Sequence, residues 1–333
     1  MPELAAILGL DVASLAFVRA SQNWVYEVRN AQAPPHILRL TALSHRSGQE
    51  VECELAWLQQ LYECGVPVCP PVLRAGERQM IVPVELGGEA FHAVFFQKAT
   101  GRPVAREDLS PRLYERHGRA LGRLHAAARR GTPEVLSGRR PWPTERYFTT
   151  DIGLYLPARV QNPVREQFQL LLMQVSTQAD TPENYGPLHF DLGYSNVFAT
   201  ENGLELIDFD NAARGPFVAD IVAALYGSLF TGLRCDFPGD RSCFEPPKSG
   251  QILEEMWEPF RQGYRQESMW PDEWNPWLGP WFQILYLRSV VHAFRLRHPM
   301  TQPQVREALM ADVSLILAGE MPLKFDFVRG KAL

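Results

Sequence analysis

The sequence predicts an α+β fold of two lobes, a small antiparallel-sheet lobe followed by a larger, mainly helical one. Three observations predict it. Short stretches rich in β-branched and aromatic residues fill most of the first hundred positions. Beyond Thr100-Gly101 the apolar spacing turns helical almost throughout. Among those helical patterns stands one strand-like hairpin, within residues 188–210. A chain of 333 residues can support a core in each lobe, and the change of character near 97–101 divides it into 1–97 and 98–333.

A short helix opens the chain. Residues 12–19 and 24–29 read as strands, with Ala20-Ser21-Gln22-Asn23 turning between them. Residues 31–35 form a turn, and 36–41 (HILRLT) alternate as a third strand. From 44 to 63, Val51, Leu55, Leu58 and Leu61 recur at helical spacing, and Gly65 and Pro67 end that helix. Strands follow at 80–85 and 91–97. Helices are expected at 111–129, 163–179, 219–231, 251–266, 281–297 and 304–318. Between them, 129–147 and 231–250 are Pro/Gly-punctuated loops, the second an insertion or a lid.

Composition excludes several classes of function. Hydrophobic residues make up 46% and charged residues 21%, values of a soluble globular protein. The net charge of −5 offers no basic surface for nucleic acid, and Arg129-Arg130 and Arg139-Arg140 read as solvated loop. No run of 18 apolar residues suits a membrane span. Glu3 and Asp11 interrupt the apolar start, which lacks a basic leader, so no signal peptide is expected. Five cysteines (53, 64, 69, 235, 243) without Cys-x-x-Cys spacing point to free thiols in a cytoplasmic protein.

The chemistry concentrates in Leu188 to Asp210, LHFDLGYSNVFATENGLELIDFD. Phosphoryl transfer from a nucleotide to a hydroxyl needs an Asp beside that hydroxyl, an Asn for one Mg²⁺ and a second Asp for another. Asp191, Asn196 and Asp208 supply these types in that order. Asp191 is the candidate base, its alternative being a turn cap. Asn196 and Asp208 offer the hard oxygens Mg²⁺ prefers. Asp210, pointing the same way if the segment stays extended, is a supporting carboxylate or an alternative ligand. His189 is read as a structural residue rather than a proton carrier, with Asp220 as its partner or as a helix N-terminal carboxylate.

With this segment, the stretch from Val94-Phe95-Phe96 to Gly101-Arg102, Leu121-Gly122-Arg123-Leu124-His125, and Asp208 through Gly215-Pro216, the chain resembles the aminoglycoside phosphotransferase/choline kinase superfamily. Within it, the type II homoserine kinase and RdoA-like stress-response kinase group is nearest. The resemblance implies a protein-kinase-like two-lobe fold that uses ATP and Mg²⁺. It implies a nucleotide-binding N-terminal lobe (1–97) and a catalytic, acceptor-binding helical lobe (98–333). A triphosphate-gripping residue belongs on the third strand, where this sequence has Arg39 instead of lysine; its four lysines (98, 248, 324, 331) lie elsewhere. The helix carboxylate that pairs with it is matched by Glu54, with Glu52 as the alternative. No G-x-G-x-x-G covers the phosphates, which leaves that task to Ser21-Gln22-Asn23. Phe95-Phe96-Gln97-Lys98 is the expected hinge against adenine.

Five of eight tryptophans (257, 270, 274, 277, 281) lie close together, read as core bulk rather than as a substrate wall. Glu254, Glu255, Glu258, Asp272 and Glu273 beside them read as a solvated face. The expectation is an ATP- and Mg-dependent phosphotransferase acting on a hydroxyl of a small molecule: an amino alcohol, hydroxy amino acid, sugar or aminoglycoside. The alternatives are a protein Ser/Thr kinase of the stress-response type and a non-catalytic pseudokinase, for which Arg39 is the only support.

Overall fold

Along strand β3 (Ala33–Ala42), Leu38 and Leu40 face one side of a sheet and Arg39 and Thr41 the other, as the two-residue period of an extended strand requires. The structure, a computed structural model, describes residues 2–30, 33–74, 76, 78–131, 135–177, 180–230, 246–298 and 302–333. With β1 (Leu15–Ala20), β2 (Asn23–Asn30), β4 (Ile81–Leu86) and β5 (Glu89–Gln97), β3 forms a five-stranded antiparallel sheet in the order β1-β2-β3-β5-β4. Leu38, Leu40, Tyr26, Val28, Phe91, Ala93 and Phe95 pack with Leu4, Ala5 and Leu8 of α1 (Pro2–Leu8). Burying that helix face explains the apolar start of the chain. The first strand begins later than predicted. Residues 12–14 instead make a 3-10 turn, because the Asp11 carboxylate accepts the Ala13 N–H (3.1 Å).

The opposite face carries Val94 and Phe96 toward α2 (Gly48–Glu63). Ser47 and Glu50 close a capping box at its start: Glu50 N–H donates to Ser47 Oγ (3.3 Å), and Ser47 N–H donates to Glu50 Oε2 (2.9 Å). This fixes which turn of α2 presents Glu54 to β3.

The chain leaves the sheet at Gln97 and pairs β6 (Arg102–Pro103) with the hairpin. A Cβ on Gly101 would collide with the backbone of Ala199, so this crossing needs glycine. Helices α3 (Pro111–Arg130), α4 (Thr150–Tyr155) and α5 (Ala158–Val175) follow. Strand β7 (Tyr185–Leu188) then pairs with β10 (Ala213–Pro216), and between them the hairpin β8 (Val197–Thr200)–β9 (Gly203–Leu206) projects. Helices α6 (Phe217–Phe230), α7 (Pro246–Arg265), α8 (Asn275–Leu296) and α9 (Pro303–Leu317) complete the second lobe, and a short ribbon, β11 (Phe325–Asp326) with β12 (Lys331–Ala332), packs on it.

Helix starts are where prediction and structure part. Prolines 163 and 280 lie inside α5 and α8, so both helices begin several residues earlier than expected. Of the anticipated insertion or lid at 231–250, residues 231–245 lie outside the described residues, while 246–250 open α7. Trp257, Trp270, Trp274 and Trp281 are buried core, and Trp277 is partly buried against it. The acids nearby are engaged: Glu254 by Lys331 (2.7 Å), Glu258 by Arg261 (3.3 Å) and Asp272 by Arg261 and Arg265 (both 3.6 Å). Arg139 corrects an expectation. It is buried rather than solvated, and donates to the carbonyls of Ala212 (2.9 Å), Glu50 (3.1 Å) and Asp210. Among the described residues, no helix is long and apolar enough to cross a membrane.

Candidate active site

The loop after β7 is held from behind by Asp220, in the first turn of α6. Its fully buried carboxylate accepts the backbone N–H of His189 (2.8 Å) and of Phe190, and His125 Nε2 lies 3.3 Å away. A carboxylate at a helix N-terminus is favoured by the dipole, and two amide donors keep it satisfied without solvent. Asp220 therefore meets His189 through the backbone. The His189 ring turns instead to the carbonyl of Ile207 (2.9 Å), tying the loop to the end of β9.

Phe190 adopts φ +62°, a left-handed conformation that a bulky residue takes only under external constraint. Here the constraint is the Asp220 clamp together with burial of the Phe190 ring. Past this turn the Asp191 side chain faces outward, 46% exposed. Its Oδ2 accepts from Asn211 (3.1 Å), and Arg288 of α8 lies 3.4 Å from Oδ1 while also donating to the Phe190 carbonyl (3.1 Å). Asn196 donates its amide N–H to the Asp191 carbonyl (2.9 Å), which leaves its side-chain oxygen as a donor for a cation.

Asp208 also sits in the left-handed region, φ +65°, and residues 209–211 then form a 3-10 turn. The expected extended geometry from 208 to 210 is thus broken, and the two carboxylates part. Asp208 stays partly exposed and binds Arg19 of β1 across the lobes (2.5 Å). Asp210 is buried beside His45 (2.8 Å) and Arg46 (3.6 Å). Burial alone would raise its carboxyl, but His45, Arg46 and Arg39 hold it well below the usual carboxylate range.

Arg39 and Glu54 form a buried bidentate pair, with Nη1 to Oε1 at 2.7 Å and Nη2 to Oε2 at 2.8 Å. Burial disfavours the guanidinium, yet Glu54, with Asp210 and Asp208 beyond it, keeps its pKa above the ordinary value. The Arg39 guanidinium lies 5.0 Å from the centre of the Phe96 ring. Glu52, the alternative partner, is exposed. In the β1–β2 turn, Ser21 N–H donates to the Asn23 carbonyl (3.1 Å), Asn23 is buried, and the Gln22 amide donates to the Tyr147 hydroxyl of the other lobe. In the expected hinge, Gln97 N–H donates to Pro70 O (3.0 Å) and Phe95 O accepts from Val72 N–H (2.8 Å). Those two groups are already paired, and Lys98 Nζ pairs with Glu27 (2.9 Å).

Residues 17–240 match the phosphotransferase enzyme family. The chain belongs to that family. Amicoumacin kinase of Bacillus subtilis (strain 168) is 25% identical over 279 residues, 82% of this chain and 78% of that one. Among solved structures, an amicoumacin kinase in complex with AMP-PNP, Ca²⁺ and its ligand superposes with a TM-score of 0.83, 22% identity, and coverage of 96% of this chain and 92% of that one. A microcompartment-associated aminopropanol kinase gives 0.66, at 23% identity over 92% of this chain and 89% of the other. These likenesses carry the protein-kinase-like two-lobe fold, and family membership makes the chain a phosphotransferase of the kinase type.

The candidate site also holds residues that the sequence did not single out: Arg19, His45, Arg46, Tyr147, Asn211 and Arg288. Arg19 had a usable signal, being a basic residue at the last predicted position of a strand that enters the phosphate-covering turn. Arg288 and Tyr147 had none. They lie about a hundred positions from Asp191 or in a Pro/Gly-rich loop, and reach the site only through helix packing.

Proposed function

We propose that this phosphotransferase moves the γ-phosphoryl group of Mg·ATP to a hydroxyl of a small molecule, an amino alcohol, hydroxy amino acid, sugar or aminoglycoside. The observation that carries the reading is Asp191: outward-facing, half-exposed and aimed by Asn211 and Arg288 from a loop that Asp220 fixes. A carboxylate so placed can orient an acceptor hydroxyl and take its proton as the O–P bond forms. Residues 1–97 serve as the nucleotide lobe and 98–333 as the catalytic and acceptor lobe.

The donors fit Mg²⁺. Among the described residues no group of three or more His, Cys, Asp or Glu side chains could hold a metal alone. Asn196 and Asp208 would therefore hold an ion that completes its shell with phosphate oxygens and water, as Mg²⁺ does. The partly exposed Asp208 carboxylate already attracts one cation, the Arg19 guanidinium. When bound, the metal would neutralise charge on the β- and γ-phosphates. Arg39, anchored by Glu54, directs positive charge at the nucleotide from the sheet side; Ser21, Gln22 and Asn23 close over it. Adenine would be met near Phe96, Gln97 and Lys98, through backbone groups other than the two already paired. His189, Asp210 and Asp220 hold the loop and do not exchange protons with substrate. A small-molecule acceptor accords with the kinases of amicoumacin and of aminopropanol, an amino alcohol.

The test is ADP release from Mg·ATP against homoserine, choline, aminopropanol, aminoglycosides, sugars and a generic protein. Acceptor-stimulated release should fall by roughly 10²- to 10⁴-fold in Asp191→Ala. Mg·ATP affinity, read by calorimetry, should stay within about twofold. Near-normal turnover in the variant would remove Asp191 from the role of base. Release stimulated only by protein would overturn the small-molecule acceptor.

A further inference from the structure

Away from the active site, one face of α3 carries Arg112, Arg116, Arg119 and Arg123. These positions follow one another at four, three and four residues, so they form a single row about 16 Å long. All four line a cavity of about 370 Å³ that is closed on its other side by Thr200 and Asn202 of the β8–β9 turn. That volume lies within the roughly 300–1,000 Å³ span of small-molecule sites.

Half of the row, Arg112 and Arg116, ties the helix to nothing among the described residues. Helix α3 is held by its other faces: Gly118 and Gly122, on the flank of the row, let it approach α7, and Leu121 and Leu124 enter the core. Like charges four residues apart on a helix repel one another. Compensation is sparse. Arg119 and Arg123 share a single Glu267 oxygen through their Nε atoms (2.7 and 3.0 Å). Among the described residues their Nη groups make no hydrogen bond, and Arg112 and Arg116 make neither hydrogen bond nor ion pair. Glu115, the one acid in the lining, is held by Gln266 (3.2 Å).

We infer that this cavity is a second binding site, for a small molecule carrying several phosphate charges, and that its occupancy is felt at the catalytic loop. Guanidinium forks match phosphate oxygens in pairs, and Thr200 and Asn202 add neutral donors opposite them. A single carboxylate would leave most of the row uncompensated. The route to the catalytic loop is short. The turn at 200–203 joins β8, which starts directly after Asn196, to β9, which ends just before Asp208. A ligand bridging α3 and this turn therefore stiffens the hairpin that sets the spacing of those two residues.

The test uses inorganic pyrophosphate as probe, titrated into the full chain by calorimetry without metal. The double variant Arg112→Ala/Arg116→Ala removes only unpartnered side chains, so its thermal unfolding should match the parent. Pyrophosphate affinity should fall at least tenfold in it, while AMP-PNP affinity without pyrophosphate is unchanged. Pyrophosphate should also shift AMP-PNP affinity in the parent and not in the variant. Equal pyrophosphate binding by both proteins, or none, would overturn the site, and an unshifted AMP-PNP affinity would overturn the coupling. Citrate binding as tightly as pyrophosphate would overturn the phosphate assignment. An RNA oligomer that binds through Arg112 and Arg116 where pyrophosphate does not would overturn the small-molecule assignment.

Discussion

Arg19 and Asp208 meet across the cleft at 2.5 Å, with side chains 44% and 26% exposed. So exposed a pair contributes only about 0–1 kcal/mol. It nonetheless sets a guanidinium on the carboxylate proposed to receive the metal. Arg19→Ala should therefore lower the divalent concentration for half-maximal nucleotide binding, by up to about fivefold, the factor that 1 kcal/mol allows. Titration of Mg²⁺ at fixed nucleotide measures it, and a raised requirement would mean that Arg19 grips phosphate instead. Asp191, Asn196 and Asp208 could be singled out because they lie on one segment whose order of residue types matches what phosphoryl transfer needs. The direction of Asp210 was not. Its parting from Asp208 depends on φ +65° at Asp208, which no alternation pattern encodes. Arg139 was hidden for a similar reason, since only the assembled fold brings three carbonyls around a loop arginine.

At the level of elements, alternation in the strands placed Arg39 on the sheet face opposite Leu38 and Leu40, and the capping box at Ser47 placed Glu54 to meet it. Helix starts were less legible, because Pro163 was read as a first residue and Pro280 as lying just before one, although both fit the second turn of α5 and α8. Closest packing left its mark only as glycine. A Cβ on Gly118 would run into the carbonyl oxygen of Phe260, and one on Gly263 into that of Glu115. Both neighbours are backbone and cannot swing aside. Gly118→Ala should thus destabilise the protein by about 1–3 kcal/mol through overpacking, despite the helix propensity gained. Denaturant unfolding would read this as a lower midpoint with little change in slope. An unchanged or higher midpoint would show that α3 and α7 can separate at little cost.

Over the whole molecule, the two lobes meet through charge. Arg46 reaches Glu145 (3.1 Å) and Asp210 in buried ion pairs, while the half-exposed Arg140 reaches Glu50 (3.0 Å), so charge joins the sheet lobe to the helical lobe. Behind them lie histidines that the fold keeps neutral. Burial pushes His117 of α3 and His292 of α8 down to about 4, and at His292 the charges of Arg288 and Arg295 act in the same direction. The sign follows from proton counting. Above about pH 6.5 these rings are neutral in both folded and unfolded chains and contribute no pH dependence. Between about 6.5 and 4 the unfolded chain binds protons that the folded one refuses, so stability falls with pH by up to roughly 1.4 kcal/mol per unit for each histidine. Acid sensitivity should therefore begin about two units above the carboxylate range. Urea unfolding at steps from pH 7 to 4.5 should show this slope, and His117→Gln with His292→Gln should reduce it whatever they do to stability at pH 7, the rest belonging to His125 and His92, which burial also shifts down. Constant stability from pH 7 to 5 in the parent would mean that these rings accept protons inside the fold.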